Sequence, residues 1–150
     1  MSKRTDKRPI HVLLVEDNPA DAELATEVLH EGPLPKIVHT VEDGLEALSF
    51  LRREARFAEA PRPGLIVLDL NMPRLDGRKF LSIVKSDPDL RGIPVVVLTS
   101  SEAPKDIDVC YDLQASSCIP KPLDLPSLLG VMTAFESYWF GAAVLPTSGG

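Results

Sequence analysis

The sequence predicts an α/β protein with a doubly wound, five-stranded parallel sheet in the strand order 2-1-3-4-5. Short apolar runs typical of buried strands alternate with segments whose apolar residues recur at helical spacing. The alternation repeats five times, which places helices on both faces of one parallel sheet. Right-handed crossovers leave few topologies, and this order is the favoured one. The length of 150 residues is that of one domain.

Five apolar segments are predicted as strands, and the fourth is rich in β-branched residues. They are Ile10–Val15, Lys36–Val41, Leu65–Asp69, Ile93–Leu98 and Ser117–Ile119.

Capping residues predict where the first two helices begin. Asn18 is placed as the N-cap of the first helix with Pro19 at its first helical position. Gly32 is expected to end that helix. Asp43 is predicted to cap the second helix.

Apolar spacing predicts the rest of the helical structure. The expected stripes are Leu45, Leu48 and Leu51 with Phe50 beside them in the second helix, and Phe80, Leu81 and Val84 in the third. A proline-containing loop is expected over Ala55–Gly64, a fourth helix over Pro104–Leu113, and a fifth from Asp124 to about Phe140.

Charge and composition exclude several classes of protein. Sixteen basic and 22 acidic residues give a net charge of −6, which argues against a nucleic-acid partner. The apolar runs are too short to span a membrane, and the basic start lacks a signal-peptide core. Cys110 and Cys118 form no metal or disulfide framework, so a cytoplasmic setting is expected. We expect a flexible arm over residues 1–8, one domain over 9–140 and a tail over 141–150.

Polar residues gather where the predicted strands end, which is where open α/β sheets carry their functional groups. These residues are Glu16, Asp17, Asp69, Asn71, Thr99, Ser100 and Lys121. Three carboxylates brought together repel one another and need a cation, and Mg²⁺ prefers oxygen ligands. A carboxylate beside Mg²⁺, a lysine and a hydroxyl suits phosphoryl transfer. Each residue taken alone could be a helix cap or a structural side chain. The hypothesis of phosphoryl transfer therefore rests on their occurring together at the ends of several strands.

At these residues the sequence resembles the receiver domain of two-component response regulators, which has a flavodoxin-like fold. The resemblance covers about residues 9–138. It rests on the segment from Val12 to Asn18 (VLLVEDN), the segment from Asp69 to Gly77 (DLNMPRLDG), Thr99-Ser100 and Lys121-Pro122.

The resemblance implies a role for each of these positions in a phosphorelay. Asp69 is the implied phosphoacceptor, taking a phosphoryl group from a phosphohistidine of a sensor histidine kinase. The implied Mg²⁺ ligands are the carboxylates of Asp17 and Asp69 and the backbone carbonyl of Asn71, with Glu16 acting through water.

The phosphoryl group has its own implied partners in this resemblance. Thr99 would bond a phosphoryl oxygen and Lys121 would pair with the group, while the small Ser100 would leave it accessible. The Lys121–Pro122 bond resembles the family's cis peptide. Cys118 stands where many receivers carry Tyr or Phe, which puts the aromatic half of the usual switch in doubt.

The C-terminal segment suggests how a signal would leave the domain. After Lys121 too few residues remain for a DNA-binding domain, so a stand-alone receiver signalling through the face of the fourth helix, fifth strand and fifth helix is expected. Leu125–Gly150 has Glu136 as its one charged side chain. Its aromatic residues, among them Phe135, Trp139 and Phe140, predict a homodimer interface. A tail folded back on its own domain is the alternative.

The tail and the loop before the third strand also resemble small response regulators paired with bacterial phytochromes, which implies a phytochrome kinase as partner. Two other functions fit these residues less well. A phosphohydrolase of the haloacid-dehalogenase kind usually needs a second Asp two residues after the nucleophile, where this chain has Asn71. A pseudo-receiver would have lost part of the acidic triad, the Thr or the Lys.

Overall fold

The sheet has five parallel strands in the order β2-β1-β3-β4-β5, which confirms the predicted fold class. The computed structural model describes residues 9–30, 35–70, 74–99 and 117–120. The strands are β1 (Ile10–Val15), β2 (Lys36–Val41), β3 (Leu65–Asp69), β4 (Val95–Thr99) and β5 (Ser117–Pro120). The helices in the described residues are α1 (Pro19–His30), α2 (Gly44–Leu51), a 3₁₀ helix (Ala55–Phe57) and α3 (Gly77–Ser86).

The first three strands have the predicted bounds, whereas β4 begins two residues later than predicted. Ile93 belongs to the preceding turn, because its N–H donates to the carbonyl of Leu90 at 3.0 Å. Pro94 has no N–H to give to a sheet, although its carbonyl accepts from Ile66 N at 3.0 Å. The fifth strand runs one residue further than predicted, to Pro120.

Both predicted N-caps that lie in the described residues are confirmed. Asn18 Oδ1 accepts from the backbone N–H of Asp21 at 3.1 Å, and Asp43 Oδ1 accepts from that of Glu46 at 2.9 Å.

The predicted apolar stripe of α2 is wrong at Leu45, which is 49% exposed. At about 100° of rotation per residue, Leu45 lies on the opposite side of the helix from Ala47 and Phe50, which are buried. The loop expected over Ala55–Gly64 contains the short 3₁₀ helix. The expected stripe of α3 is confirmed, since Phe80, Leu81 and Val84 are all buried.

Alternate residues of the strands pack on opposite faces of the sheet, as the two-residue period of a strand requires. One face is covered by α2 and α3, and its buried cluster includes Leu13, Val15, Leu48, Phe80 and Leu81. The other face is covered by α1, and its cluster includes Ile10, Val12, Leu14, Ala25 and Leu29. Strands buried on both faces are typical of doubly wound sheets.

Several expectations concern residues outside the described ones. These are the arm and the tail, Gly32, the fourth and fifth helices, Asn71, Ser100, the Lys121–Pro122 bond, and the proposed interface residues Phe135, Trp139 and Phe140. Within the described part of the chain, no helix is long and apolar enough to cross a membrane.

Candidate functional site

Three carboxylates meet where β1 and β3 end. Val15 and Leu68 are register partners on these neighbouring strands, so Glu16 and Asp69 follow them side by side. One ligand oxygen from each of Glu16, Asp17 and Asp69 lies within 4.8 Å of the others. The fold therefore brings together the three acidic residues that the sequence placed at strand ends.

The acidic cluster, which we define as Glu16, Asp17 and Asp69, lies mostly below the protein surface. Glu16 is 4% exposed and Asp69 is 8% exposed, whereas Asp17 is exposed. The Glu16 carboxylate accepts from the backbone N–H of Asn18 at 3.5 Å, at the start of α1. Carboxylates this close repel each other, and their oxygens are the ligands that hard divalent cations prefer. The donor set therefore fits a divalent metal ion.

The backbone also places Thr99 at this edge of the sheet. Leu98 is the register partner of Asp69 on β4, so Thr99 is one residue beyond the level of Asp69. Thr99 pairs in turn with Pro120, the last residue of β5, and Lys121 follows in the sequence. The side chains of Thr99 and Lys121, like Asn71, are not among the described parts of the structure, so their roles remain predictions.

Gly77 holds the chain that leaves β3 close to Asp69. Its N–H donates to the carbonyl of Leu70 at 3.0 Å, so the start of α3 lies against the residue that follows β3. A Cβ at Gly77 would lie 2.7 Å from Leu70 Cα and 2.8 Å from the carbonyl oxygen of Asp69. Only glycine allows this close approach without a backbone shift. Sequence reasoning placed Gly77 at the end of the segment from Asp69 to Gly77 and missed this contact.

A second buried aspartate, Asp43, ties the same loop to α2. Its Oδ2 accepts from Arg74 Nε at 2.7 Å and also bonds Arg74 Nη2, while its Oδ1 caps α2. Burial alone would raise the pKa of Asp43, but the Glu46 N–H and the Arg74 guanidinium outweigh it and hold that pKa below its usual value. The sequence predicted the cap but not the ion pair, because its members lie 31 positions apart.

A family model described as the response regulator receiver domain matches residues 12–133. The chain therefore belongs to the response regulator receiver family, as the motifs at its strand ends indicated.

Several individual members of this family are similar to the chain over most of its length. Response regulator Rcp1 of Synechocystis sp. is 39% identical over 140 residues, covering 93% of this chain and 95% of Rcp1. The crystal structure of the phosphorylated cyanobacterial phytochrome response regulator RcpA matches with a TM-score of 0.89 and 44% identity, covering 93% of this chain and all of the other. The Mn²⁺-bound form of Rcp1 matches with a TM-score of 0.88 and 40% identity, again over 93% of this chain and all of the other.

Proposed function

We propose that this protein accepts a phosphoryl group on Asp69 from the phosphohistidine of a sensor histidine kinase, as the receiver of a two-component phosphorelay. The carrying observation is the acidic cluster, in which Asp69 meets Glu16 and Asp17 at the carboxyl ends of neighbouring strands. Membership of the receiver family supports the same role. The protein is then a phosphoacceptor that promotes its own phosphorylation and dephosphorylation, and not a dedicated enzyme.

The chemistry assigned to Asp69 is nucleophilic. One Asp69 carboxylate oxygen attacks the phosphorus in line, the new O–P bond forms, and the P–N bond to the kinase imidazole breaks with its electron pair returning to nitrogen. The Thr99 hydroxyl would then donate to a phosphoryl oxygen, and the Lys121 ammonium would offset its charge. Hydrolysis of the acyl phosphate by water later restores the carboxylate.

Mg²⁺ is the cofactor that we infer for this site. Asp17 and Asp69 would ligate it with the backbone carbonyl of Asn71, and Glu16 would act through water. The bound ion would supply charge neutralisation at the phosphoryl oxygens. The three carboxylates within 4.8 Å support this assignment, as does the Mn²⁺-bound form of the relative Rcp1.

Intact mass spectrometry after incubation with acetyl phosphate and Mg²⁺ tests the phosphoacceptor. We expect a phosphoryl adduct on the wild-type chain that needs Mg²⁺ and is lost in Asp69→Asn. The matched control is Asp89→Asn, an exposed aspartate whose contacts use its backbone. An adduct that survives in Asp69→Asn, or that forms equally without a divalent cation, would refute the proposal.

A phytochrome is the kinase that we infer as partner. The support is the similarity to RcpA, described as a cyanobacterial phytochrome response regulator, and to the bacteriophytochrome response regulator RtBRR. RtBRR matches with a TM-score of 0.73 and 35% identity, covering 95% of this chain and 85% of the other. Phosphotransfer from a panel of purified kinases should be fastest from the phytochrome kinase. Equal rates across the panel would contradict this partner.

A homodimer through the C-terminal segment is the last part of the proposal. Its support is the sequence pattern of Phe135, Trp139 and Phe140 in a nearly uncharged segment. Trp139→Ala should lower the mass measured by light scattering on a sizing column. A wild-type chain that is already monomeric in both phosphorylated and unphosphorylated forms would refute the dimer.

The domain limits and the location of the protein are inferred from sequence as well. We infer a receiver domain over residues 9–140, flanked by an arm over 1–8 and a tail over 141–150. Limited proteolysis should trim both flanks first, and early cuts inside 9–140 would contradict these limits. A cytoplasmic location fits two cysteines without a disulfide framework.

A further inference from the structure

The connection from β3 to α3 is described at Leu70 and at residues 74–77, and both parts make contacts that hold them in place. Its base is closed by the bond from Gly77 N to Leu70 O, and Gly77 packs against the Asp69 carbonyl. Arg74 lies between them with a φ of 62°. This left-handed conformation is unfavourable for any residue that has a Cβ. Such a conformation persists where neighbouring contacts favour it.

Those contacts come from the start of α2. The Arg74 guanidinium bonds Asp43 Oδ2 through Nε and Nη2, and Asp43 is 2% exposed. One residue further along each segment, a Cβ on Gly44 would lie 2.6 Å from the carbonyl oxygen of Leu75, so the two backbones pack closely. The ion pair and the backbone contact together fix the loop on α2.

We propose that Asp43 and Arg74 are positioning residues of the acidic cluster, and that their ion pair holds the loop from Asp69 in the arrangement that binds the divalent cation. This role rests on the proposed function, since it concerns the same site. Partners that orient ligand-bearing segments commonly change metal affinity by about 10- to 100-fold when removed. Neither residue touches the phosphoryl group in this role.

The sign of the effect separates positioning from simple electrostatics. Arg74→Ala removes a positive charge, which by Coulomb interaction alone would make a nearby cation bind more tightly. Loss of positioning makes the cation bind more weakly. Asp43→Asn removes the other member of the ion pair. Asparagine can still cap the helix, but it lacks the negative charge that holds Arg74.

The chain offers a matched control on the same helix. Arg56 forms an ion pair with Glu46 in the first turn of α2 at 2.7 Å, and its side chain is 66% exposed, close to the 58% of Arg74. It connects α2 to the 3₁₀ helix and not to the loop from Asp69. Arg56→Ala therefore removes a comparable guanidinium without touching that loop.

Calorimetric titration of Mg²⁺ into the full chain tests the proposal, with thermal unfolding as a check that each variant is folded. We expect Arg74→Ala and Asp43→Asn each to raise the dissociation constant about tenfold, and Arg56→Ala to leave it unchanged. Arg74→Lys, which keeps one charged donor, should fall between wild type and Arg74→Ala. The double variant should bind no more weakly than the weaker single variant, because both remove one interaction.

Several outcomes would overturn the positioning role. They are tighter or unchanged binding in folded Arg74→Ala, an equal loss in Arg56→Ala, and losses that add in the double variant. Absence of saturable Mg²⁺ binding in the wild type would also overturn it. A wild type that binds Mg²⁺ with the expected ranking of variants, but gives no adduct dependent on Asp69, would overturn the proposed function alone.

Discussion

Asp43 and Asp69 are both buried aspartates near the carboxyl end of a strand, but their surroundings carry opposite charge. Asp43 is 2% exposed and receives the backbone N–H of Glu46 and the guanidinium of Arg74. Asp69 is 8% exposed and lies within 4.8 Å of two further carboxylates. Around Asp43 the chain itself supplies the matching positive charge, whereas around Asp69 it concentrates negative charge.

The difference predicts a separate role for each buried carboxylate. A buried charge is tolerated when it is paired and hydrogen-bonded, and such a residue stabilises the structure around it. Carboxylates held close together repel one another, and a bound divalent cation would offset that repulsion. We therefore expect substitutions around Asp43 to lower the free energy of unfolding and to weaken cation binding, and substitutions at Asp69 to abolish the response to a cation.

The largest expected effect is at Gly77, which couples the two regions. Gly77→Ala would place a Cβ 2.7 Å from Leu70 Cα, a contact that only a backbone shift can relieve. We expect the free energy of unfolding to fall by about 3 kcal/mol, measured by urea denaturation. An unchanged midpoint would mean that α3 starts without resting on the backbone of Asp69.

The next largest effect separates the two contributions of Asp43, the helix cap and the ion pair. Asp43→Ala removes the cap of α2 and the ion pair, and we expect a loss of about 2 kcal/mol. Asp76→Ala removes only a cap, since Asp76 Oδ1 accepts from Lys79 N at the start of α3, and should cost about 1 kcal/mol. Equal losses in the two variants would show that the Arg74 pair adds nothing to stability.

The stabilisation by a cation should be lost when Asp69 is substituted and only weakened when Asp43 is. At a Mg²⁺ concentration ten times the dissociation constant, binding to the native state stabilises it by about 1.4 kcal/mol. We expect this increase for the wild type, measured as the rise in the urea midpoint, and none for Asp69→Asn. The comparison would break if Asp69→Asn gained as much stability from Mg²⁺ as the wild type does.

The smallest effect concerns a pair of histidines on neighbouring strands. His11 Nδ1 and His39 Nε2 are 3.0 Å apart across β1 and β2, so one ring donates and the other must accept. Burial, and then the neighbouring His11, lower the pKa of His39 from its usual value of 6.5. The unfolded chain therefore binds more protons just below that value, and stability falls as the pH drops through it.

Urea midpoints measured across this pH range should show the fall in the wild type and a smaller one in His39→Gln. A stability that rises on acidification through this range would reverse the expected sign.

Most of the fold followed from local sequence because strands buried on both faces are continuous apolar runs. The fourth strand was misplaced at its start because Ile93 is as apolar as the strand, and only the bond to Leu90 assigns it to a turn. Leu45 was misplaced because an apolar residue at helical spacing does not reveal how wide the buried face is. Tertiary packing decides that width.

The acidic cluster was predictable because parallel strands bring their carboxyl ends to one edge, whatever the details of packing. The pairing of Asp43 with Arg74 was not, because no local pattern links a helix cap to an arginine in a distant loop. Gly77 carried a signal, a glycine at the start of a helix, but a turn explains that equally well. The roles of Asn71, Thr99 and Lys121 remain predictions from sequence.

Lys36 has a consequence for how copies of this protein behave at high concentration. It is 7% exposed on β2, the strand at one edge of the sheet, and it is the register partner of Ile10. A charged side chain on an edge strand is one of the devices that disfavour the joining of sheets edge to edge. We therefore expect Lys36 to disfavour strand addition and aggregation at the β2 edge.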